Sequence, residues 1–433
     1  MDECSTFHLR KRSIAVLLLI AAAVAAVMPL QGKSGELPIY MAAAQRIVHG
    51  EQFYRPDDPH AQAFTYPPFF VLSTVPLVPL PPYAQASVWW FVNLILTGVI
   101  LFVIARLVWP TVARGVNNGG RSPWILALGI GVLSARFLIS PLEYQSHDLI
   151  VFALVVLAGF GMSNERDGWA GICGGLAAAC KATPLLLLPL FCWQRRYRAA
   201  AWFLVALVLA TLLPDLLFPA PDGHLWVGHW YDKFVSKVQA GASVQAEGAW
   251  SPWNLLDQSL SGTVARLSTP VERKGDMFNV CLLELRRTDQ QRLTLALDVL
   301  IVAWLAWCTW PRRRTAVDRE PGLAVLTQIG IVLCAMLLLS PMSGTQHFCM
   351  LLAPVAACAT HWLYVRRDPL IAGLLLLVFL FGTLAARDLL GPYAVWPQAL
   401  GAKTWCTMAL LLACGRILLT GDKASVARPK PNS

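Results

Sequence analysis

The sequence predicts an all-α membrane protein: one polytopic helical bundle of about 12 transmembrane segments. Hydrophobic residues make up 56% of the 433-residue chain and charged residues only 14%, and the mean hydropathy is +0.55. Ordinary soluble domains carry about 25% charged residues. The composition argues against a water-soluble enzyme, a disordered protein and a nucleic-acid binder, and a single membrane domain is expected to occupy residues 1–433.

Each predicted span is an apolar run that charges or turn residues bound. The first run follows a basic tail and could be a signal peptide, but it is long for one, so we interpret it as an uncleaved first helix. The predicted spans lie near residues 13–30, 84–108, 124–142, 149–163, 169–182, 184–194, 199–218, 291–310, 322–340, 347–364, 369–386 and 402–420.

The run at 66–82 is also apolar but contains six prolines, so we interpret it as a segment that only dips into the outer leaflet. With that choice, every compact basic cluster falls on one side of the membrane, as the positive-inside rule requires. These clusters contain Arg10, Lys11 and Arg12; Arg114 and Arg121; Arg166; Arg195, Arg196 and Arg198; Arg312, Arg313 and Arg314; Arg366 and Arg367; and the basic C-terminal tail.

This topology places both termini in the cytoplasm of a multi-pass protein of the plasma (inner) membrane. The loop at 31–83, with its juxtamembrane helices, and the long loop at 219–290 are then external. The cytoplasmic loops are short and basic, whereas most unusual polar residues at span ends lie on the external face. The sequence therefore predicts an extracytoplasmic active surface.

The eleven cysteines mostly lie within apolar runs, and no C-x-x-C pair occurs. This pattern supports neither a disulfide framework nor a zinc site, so we expect inert thiols.

Two acidic elements stand at external span ends. Glu36 precedes a short amphipathic stretch from Pro38 to Gly50 and could be a functional acid or only an N-terminal cap. The turn EYQSHD contains Gln145, His147 and Asp148, and could bind substrate or be a solvated interhelical turn.

Lys181 interrupts a long, nearly uncharged stretch, and a proline follows three residues later. It could extend toward a headgroup as an interfacial anchor, or bind a lipid phosphate as a fixed cation. His347 ends the element SPMSGTQH at the start of a span, where a structural histidine and a ligand are equally consistent with the sequence.

The stretch AWSPWNLLDQSLSG in the long loop combines aromatic and amide side chains, including Trp253, Asn254 and Gln258. Aromatic faces cover sugar C–H surfaces and amides bind hydroxyls, so the pattern suits sugar recognition. It suits an interfacial helix lying on the membrane equally well.

Together these elements resemble glycosyltransferase family eighty-seven, the polyprenyl-phosphate-mannose-dependent α-mannosyltransferase type of the GT-C superfamily. Their order and spacing through almost the whole chain make the resemblance specific. The matching pieces are Glu36 with Tyr40, the FTYPPF segment with Tyr66, the turn with Gln145, the stretch 170–198 with Lys181, the triplet Asp257, Gln258 and Ser259, and the element from Ser340 to His347. The family usually has Asp at the position of Glu36.

The resemblance implies a GT-C type fold and an inverting hexosyl transfer, with mannose as the expected sugar, from a polyprenyl-phosphate donor to a glycan or glycolipid acceptor. Glu36 would be the general base, and Lys181 and His347 would bind the donor phosphate. Substrate would contact Tyr40, Tyr66, Gln145, His147, Asp148, Trp253, Asn254 and Gln258. No acidic cluster in the sequence resembles the metal site of an enzyme that uses nucleotide sugars, so we expect no essential metal and no cofactor. The expected partners are these two substrates and membrane lipid, without nucleic acid.

Two other classes of protein remain as alternatives. A secondary transporter or lipid flippase would also have a dozen spans, but the two halves of the chain show no convincing repeat, and the polar residues collect at one face. A non-catalytic membrane scaffold derived from the family is compatible with Glu in place of Asp at position 36.

Overall fold

The structure is a computed structural model that describes residues 21–31, 35–55, 63–242, 250–270, 279–311 and 320–420. Helices and connecting turns account for all of these residues, and no strand occurs within these ranges. Residues 21–27 are helical. The α-helices that follow are Leu37–Val48, Pro82–Asn117, Pro123–Glu143, Asp148–Ser163, Asp167–Cys180, Leu187–Trp193, Tyr197–Leu217, Trp226–Lys233, Leu260–Ser268, Arg287–Cys308, Pro321–Leu339, Leu352–Thr360, Pro369–Val378, Arg387–Leu390, Val395–Ala399 and Ala402–Leu419.

Short 3₁₀ and π segments connect or extend these helices. Two of them, Thr345–Leu351 and His361–Val365, flank one α-helix and make it part of a longer helical span. The others are Met28–Gln31, Pro68–Ser73, Val75–Leu77, Thr183–Leu186, Val235–Lys237, Phe379–Leu384 and Gly391–Ala394.

Seven helices in the described part of the chain are long and apolar enough to cross a membrane. An eighth is possible if Pro369–Leu384 and Arg387–Ala399, which meet at a 62° bend, form one broken span. The protein is therefore a helical, multi-pass membrane protein. The seven helices are Pro82–Asn117, Pro123–Glu143, Tyr197–Leu217, Arg287–Cys308, Pro321–Leu339, Thr345–Val365 and Ala402–Leu419.

The sequence predicts more spans than this, because it counts short apolar helices as crossings. Asp148–Ser163 has 16 residues and Asp167–Cys180 has 14, lengths of about 24 and 21 Å against a hydrocarbon core of about 30 Å. Thr183–Trp193 is shorter still, and residues 13–20 of the predicted span at 13–30 lie outside the described residues. The count of about 12 segments stays a prediction.

The proline-rich run at 66–82 forms the 3₁₀ segments Pro68–Ser73 and Val75–Leu77 rather than a long helix. Repeated prolines remove the amide hydrogens that a continuous α-helix needs. Phe70 and Val71 are fully buried, so the run packs into the bundle.

Ion pairs involve several of the predicted basic clusters. Asp167, at the start of its helix, pairs with Arg196 at 2.7 Å. Asp368 pairs with Arg416 at 3.1 Å, and Arg114 pairs with Glu320. Apart from Arg416, which lies in the predicted span at 402–420, these positions belong to segments that the sequence assigns to the cytoplasm. The basic residues at 10–12 and 312–314 and the C-terminal tail lie outside the described residues.

Small residues on Asp167–Cys180 allow it to approach Tyr197–Leu217 closely. A Cβ at Gly171 would lie 2.2 Å from the carbonyl oxygen of Ala199, and one at Gly175 would lie 2.4 Å from that of Phe203. Stripes of small residues permit such backbone contact between membrane helices. This packing fixes the helix that ends immediately before Lys181.

Arg266 joins three segments at the opposite end of the bundle. Its guanidinium is buried and donates to the carbonyl oxygens of Ala399 at 3.0 Å, Pro252 at 2.7 Å and Asp257 at 2.8 Å. Arg266→Leu would leave these carbonyls without donors. We expect it to lower the free energy of unfolding by roughly 2–4 kcal/mol, measured as thermal unfolding in detergent micelles.

Arg292→Leu is the matched control for this prediction. The Arg292 side chain is 82% exposed and pairs with Asp289 at 3.5 Å, and exposed pairs of this kind contribute little. Equal losses of stability in the two variants would show that the Arg266 contacts do not hold these segments.

Candidate active site

A cavity of about 390 Å³ opens between the first external segment, the helix ends near Lys181, and the element that begins at Ser340. One part of its wall is polar and ionisable, and the rest is largely apolar. The polar part includes Glu36, Tyr66, Lys181, Gln346 and His347. The apolar part includes Ile39, Leu185, Trp230, Phe234, Val235, Val238, Trp250 and Met342. Such a cavity suits a ligand with a charged or hydroxylated head and an apolar chain.

A close backbone contact places Glu36 beside the EYQSHD turn. Gly35 has φ +49°, and a Cβ there would lie 2.1 Å from the carbonyl oxygen of Tyr144, so only glycine fits. The Glu36 amide donates to that same oxygen at 2.8 Å. On the other side of the contact, Gln145 also adopts positive φ, at 48°. The backbone of the first external segment therefore packs directly against the EYQSHD turn at Glu36.

Glu36 occupies the N-cap position of helix Leu37–Val48, but its side chain makes no capping hydrogen bond. Its carboxylate instead accepts from the Tyr40 hydroxyl and the Gln346 amide, and from the Tyr66 hydroxyl at 3.4 Å. This arrangement decides against a purely capping role.

Burial, reinforced by the nearby charge of Asp148, raises the pKa of Glu36 to about 7. The carboxylate is 7% exposed and lines the cavity. A carboxyl group whose pKa lies near neutral pH can exchange a proton with a bound hydroxyl.

Tyr40 and His147 form a second layer behind Glu36. The Tyr40 hydroxyl lies 3.1 Å from Nδ1 of His147, and both residues are fully buried. When Glu36 is ionised and accepts from the Tyr40 hydroxyl, the hydrogen is assigned to Nδ1 of His147 in this network. Burial lowers the pKa of His147 to about 3, which keeps the ring neutral. Neither residue lines the cavity, so both hold Glu36 in place.

Asp148 brings Lys181 and His347 together. Lys181 Nζ lies 2.7 Å from one carboxylate oxygen, and His347 Nε2 lies 3.6 Å from the other. The Gly344 amide donates to His347 Nδ1 at 3.0 Å, which directs the Nε2 hydrogen of a neutral ring toward Asp148. The Lys181 side chain is 12% exposed, and it lines the cavity with His347.

This pairing bears on both interpretations of Lys181. Lys181 does not depend on a bound lipid phosphate for a counter-charge, because Asp148 supplies one. It also argues against a simple interfacial anchor, since the ammonium points into the protein. Asp148 is completely buried and orients two cavity residues instead of lining the cavity itself.

The structure does not bring the remaining predicted substrate residues to this cavity. Trp89 donates to the Gln145 carbonyl at 2.7 Å. The Asn254 side chain accepts from the Leu256 amide at 3.0 Å in a local turn. The Gln258 amide donates to the carbonyls of Leu255 and Gln398, both at 2.8 Å, and so ties two segments together. Trp253 lines a second cavity, and turns, not an interfacial helix, occupy the segment 250–259.

Sequence reasoning missed two kinds of cavity residue. Gln346 contacts the candidate base directly, and its place beside His347 was the only available signal. Trp230, on helix Trp226–Lys233, lines the cavity, while Trp226, four residues earlier, is completely buried. The four-residue spacing of these aromatics indicates a helix with one covered face.

In the described ranges, no three His, Cys, Asp or Glu side chains come together in a group that could hold a metal ion. Independence from metal remains a prediction.

The fold is that of a multi-pass helical membrane protein, and its cavity combines a buried carboxylate with apolar walls. The profile of glycosyltransferase family 87 matches residues 64–341. This match covers more than half of the chain, and the chain belongs to that family.

A relative from Mycobacterium tuberculosis (strain ATCC 25618 / H37Rv) is 26% identical over 365 residues, which cover 81% of this chain and 76% of the relative. It is a polyprenol-phosphate-mannose-dependent alpha-(1-2)-phosphatidylinositol mannoside mannosyltransferase. Family membership favours glycosyl transfer over transport. Glu36 and His347 lie outside the matched range of the family profile, so their roles depend on the geometry of the site.

Proposed function

We propose that this protein is an inverting glycosyltransferase that moves mannose from a polyprenyl-phosphate donor to a hydroxyl group of a glycan or glycolipid acceptor. The reaction takes place on the extracytoplasmic face of the plasma membrane. The observation that carries the proposal is Glu36, a buried carboxylate with a pKa near 7 at the polar end of an amphiphilic cavity. The name of the mycobacterial relative supports the choice of donor and of a glycolipid acceptor.

In the proposed reaction, Glu36 takes the proton of the acceptor hydroxyl while that oxygen attacks the anomeric carbon of the donor. The new carbon–oxygen bond forms as the bond to the phosphate oxygen breaks. Polyprenyl phosphate leaves with the electron pair from the opposite face of the sugar, so the configuration inverts. The hydrogen bonds from Tyr40 and Gln346 keep the carboxylate aimed at the cavity.

Lys181 and His347 stabilise the negative charge of the departing phosphate. Both line the cavity, and their shared contact with Asp148 fixes their positions before the donor arrives. We propose that these residues make a metal ion unnecessary. The apolar walls, which include Leu185, Phe234 and Val238, receive the first isoprene units of the lipid.

The decisive experiment compares two mannose donors. Purified protein in lipid nanodiscs is incubated with polyprenyl-phosphate-mannose or with GDP-mannose, together with a panel of glycan and glycolipid acceptors and with EDTA. Transfer from the lipid donor alone, to a product of opposite anomeric configuration, is the expected result. Efficient use of GDP-mannose, or loss of transfer in EDTA, would contradict the proposal.

The pH dependence of kcat/KM follows from the raised pKa of Glu36. Below about pH 7 the carboxyl group is protonated and cannot accept the hydroxyl proton, so log kcat/KM should rise with unit slope up to about pH 7 and then level off. A profile that is flat from pH 5 to 8, measured with saturating acceptor, would place the general base elsewhere.

The proposed face of the reaction is tested by cysteine accessibility in a Cys-free background. His224 is exposed in the loop at 219–290, and Asn118 follows the first long span. A membrane-impermeant maleimide added to intact cells should label a cysteine at position 224 but not one at position 118. The reverse labelling pattern would invert the topology, and labelling of both would mean that the proline-rich run crosses the membrane.

A further inference from the structure

A second cavity, of about 370 Å³, lies beside the first. Its walls come from three segments: residues 241–242, residues 252–269, and the beginning of the span Arg287–Cys308. Gly241 has φ +71° and packs so tightly that a Cβ would lie 2.5 Å from the Gln291 carbonyl oxygen. The cavity is thus held together by packed backbone, and its volume falls in the range of small-molecule sites.

The lining of this cavity differs from that of the first. It contains one aromatic ring, two amides, hydroxyl groups and one guanidinium, and no acidic side chain contributes to it. Gln290 is fixed as part of the wall, because its amide donates to Ser268 O at 3.1 Å and Thr269 Oγ1 at 2.6 Å. The side chains of Trp253, Arg287 and Gln291 make no hydrogen bond or ion pair with any residue in the described ranges.

A flat indole surrounded by available amide and guanidinium donors matches the chemistry of a pyranose. The ring can cover the C–H face of the sugar, while Gln291 and Arg287 bind its hydroxyl groups. Such a wall offers little to a prenyl chain, whose apolar surface is better covered in the first cavity.

The walls of the two cavities contact each other. Trp250 lines the first cavity, whereas Pro252 and Trp253, two and three residues later, line the second. The Ser261 hydroxyl, in the second cavity, donates to the Pro341 carbonyl at 3.3 Å, and Pro341 lines the first. The two cavities are therefore neighbours, and the segment that contains Trp250, Pro252 and Trp253 contributes to both.

We propose that the second cavity binds the saccharide part of the acceptor, with the Trp253 ring as its platform. The assignment as an acceptor site rests on the proposed function, because it requires that a sugar bound in the second cavity receives the transferred hexose. As a saccharide-binding site, it rests only on the side chains that line the cavity.

The test begins with binding and uses no donor. Saturation-transfer NMR with methyl α-mannoside and a mannobiose is recorded on the full-length protein and on Trp253→Ala, Gln291→Ala and Trp124→Ala. Trp124 is the matched control, since its side chain is 81% exposed and lines neither cavity. Trp253→Ala should raise the saccharide Kd about 10-fold or more, Gln291→Ala should raise it less, and Trp124→Ala should not change it.

Absence of saccharide binding to the wild type, or an unchanged Kd in Trp253→Ala with normal thermal stability, would overturn the site. A transfer assay separates this failure from that of the proposed function. Transfer from polyprenyl-phosphate-mannose with an unchanged acceptor KM in Trp253→Ala would remove the acceptor site and leave the function. Saccharide binding through Trp253 in a protein that transfers nothing would keep the binding site and remove the function.

Discussion

Glu36→Gln is expected to lower turnover by about 10²- to 10⁴-fold, the usual contribution of a general base. Glutamine retains the size of the side chain and can still accept from Tyr40 and Tyr66, but it cannot take a proton from the acceptor hydroxyl. Donor affinity should change little, since Lys181 and His347 remain in place. Turnover and donor affinity are measured separately, with polyprenyl-phosphate-mannose as donor.

Glu36→Asp and Tyr40→Phe are informative companions of this variant. Glu36→Asp retains a carboxylate and should be the mildest change at this position. Tyr40→Phe removes the hydroxyl that orients Glu36 but leaves the base, so its loss should be smaller than that of Glu36→Gln. Near-normal turnover in Glu36→Gln would show that the base is another group, and Asp148 would be the next to test.

Lys181→Met is expected to reduce both donor affinity and folding stability. A charged hydrogen bond to phosphate contributes about 1.5–3 kcal/mol, so donor affinity should fall about 10- to 100-fold. The same change leaves the Asp148 carboxylate buried without its partner, which should cost about 3–5 kcal/mol of stability. Donor binding in nanodiscs and thermal unfolding measure the two effects independently.

The double variant Lys181→Met with Asp148→Asn separates the effect on donor affinity from the effect on stability. Asparagine removes the buried charge, so stability should largely recover while donor affinity stays low. Wild-type donor affinity in the double variant would mean that Lys181 is only the counter-ion of Asp148 and that the phosphate binds elsewhere. Lys237 lines neither cavity. Lys237→Met therefore controls for the general loss of a positive charge.

The sequence predicts the class of fold and much of the first cavity. Composition alone identifies a helical membrane protein, and charge asymmetry gathers Glu36, Lys181 and His347 on one face, where the structure brings them around one cavity. Assigning each polar residue to one end of its span is sufficient for this prediction, because polar residues at the same end of a helical bundle lie close to one another.

Contacts between distant segments could not be predicted in the same way. Asp148 and Lys181 are 33 positions apart, and Gln346 lies 310 positions from Glu36, so no local pattern relates them. Hydropathy also does not distinguish a spanning helix from a short helix enclosed by others, so the short helices Asp148–Ser163 and Asp167–Cys180 leave the number of crossings a prediction. Trp253, Asn254 and Gln258 are close in sequence but have separate roles, because tight turns direct their side chains apart.

The short helices that carry Asp148 and Lys181 have a consequence for the surrounding lipid. Asp167 pairs with Arg196 at the basic end of the bundle, and a 14-residue helix from there reaches only about 21 Å toward the other side. If the basic end lies at one surface of a hydrocarbon layer about 30 Å thick, Lys181 lies about 9 Å below the opposite surface. A donor phosphate could then reach the lysine only where the leaflet thins, and this deformation costs fractions of a kcal/mol per Å. In that arrangement the adjacent bilayer would form a depression beside the protein, and the thickness of the membrane would contribute to how readily a lipid donor enters.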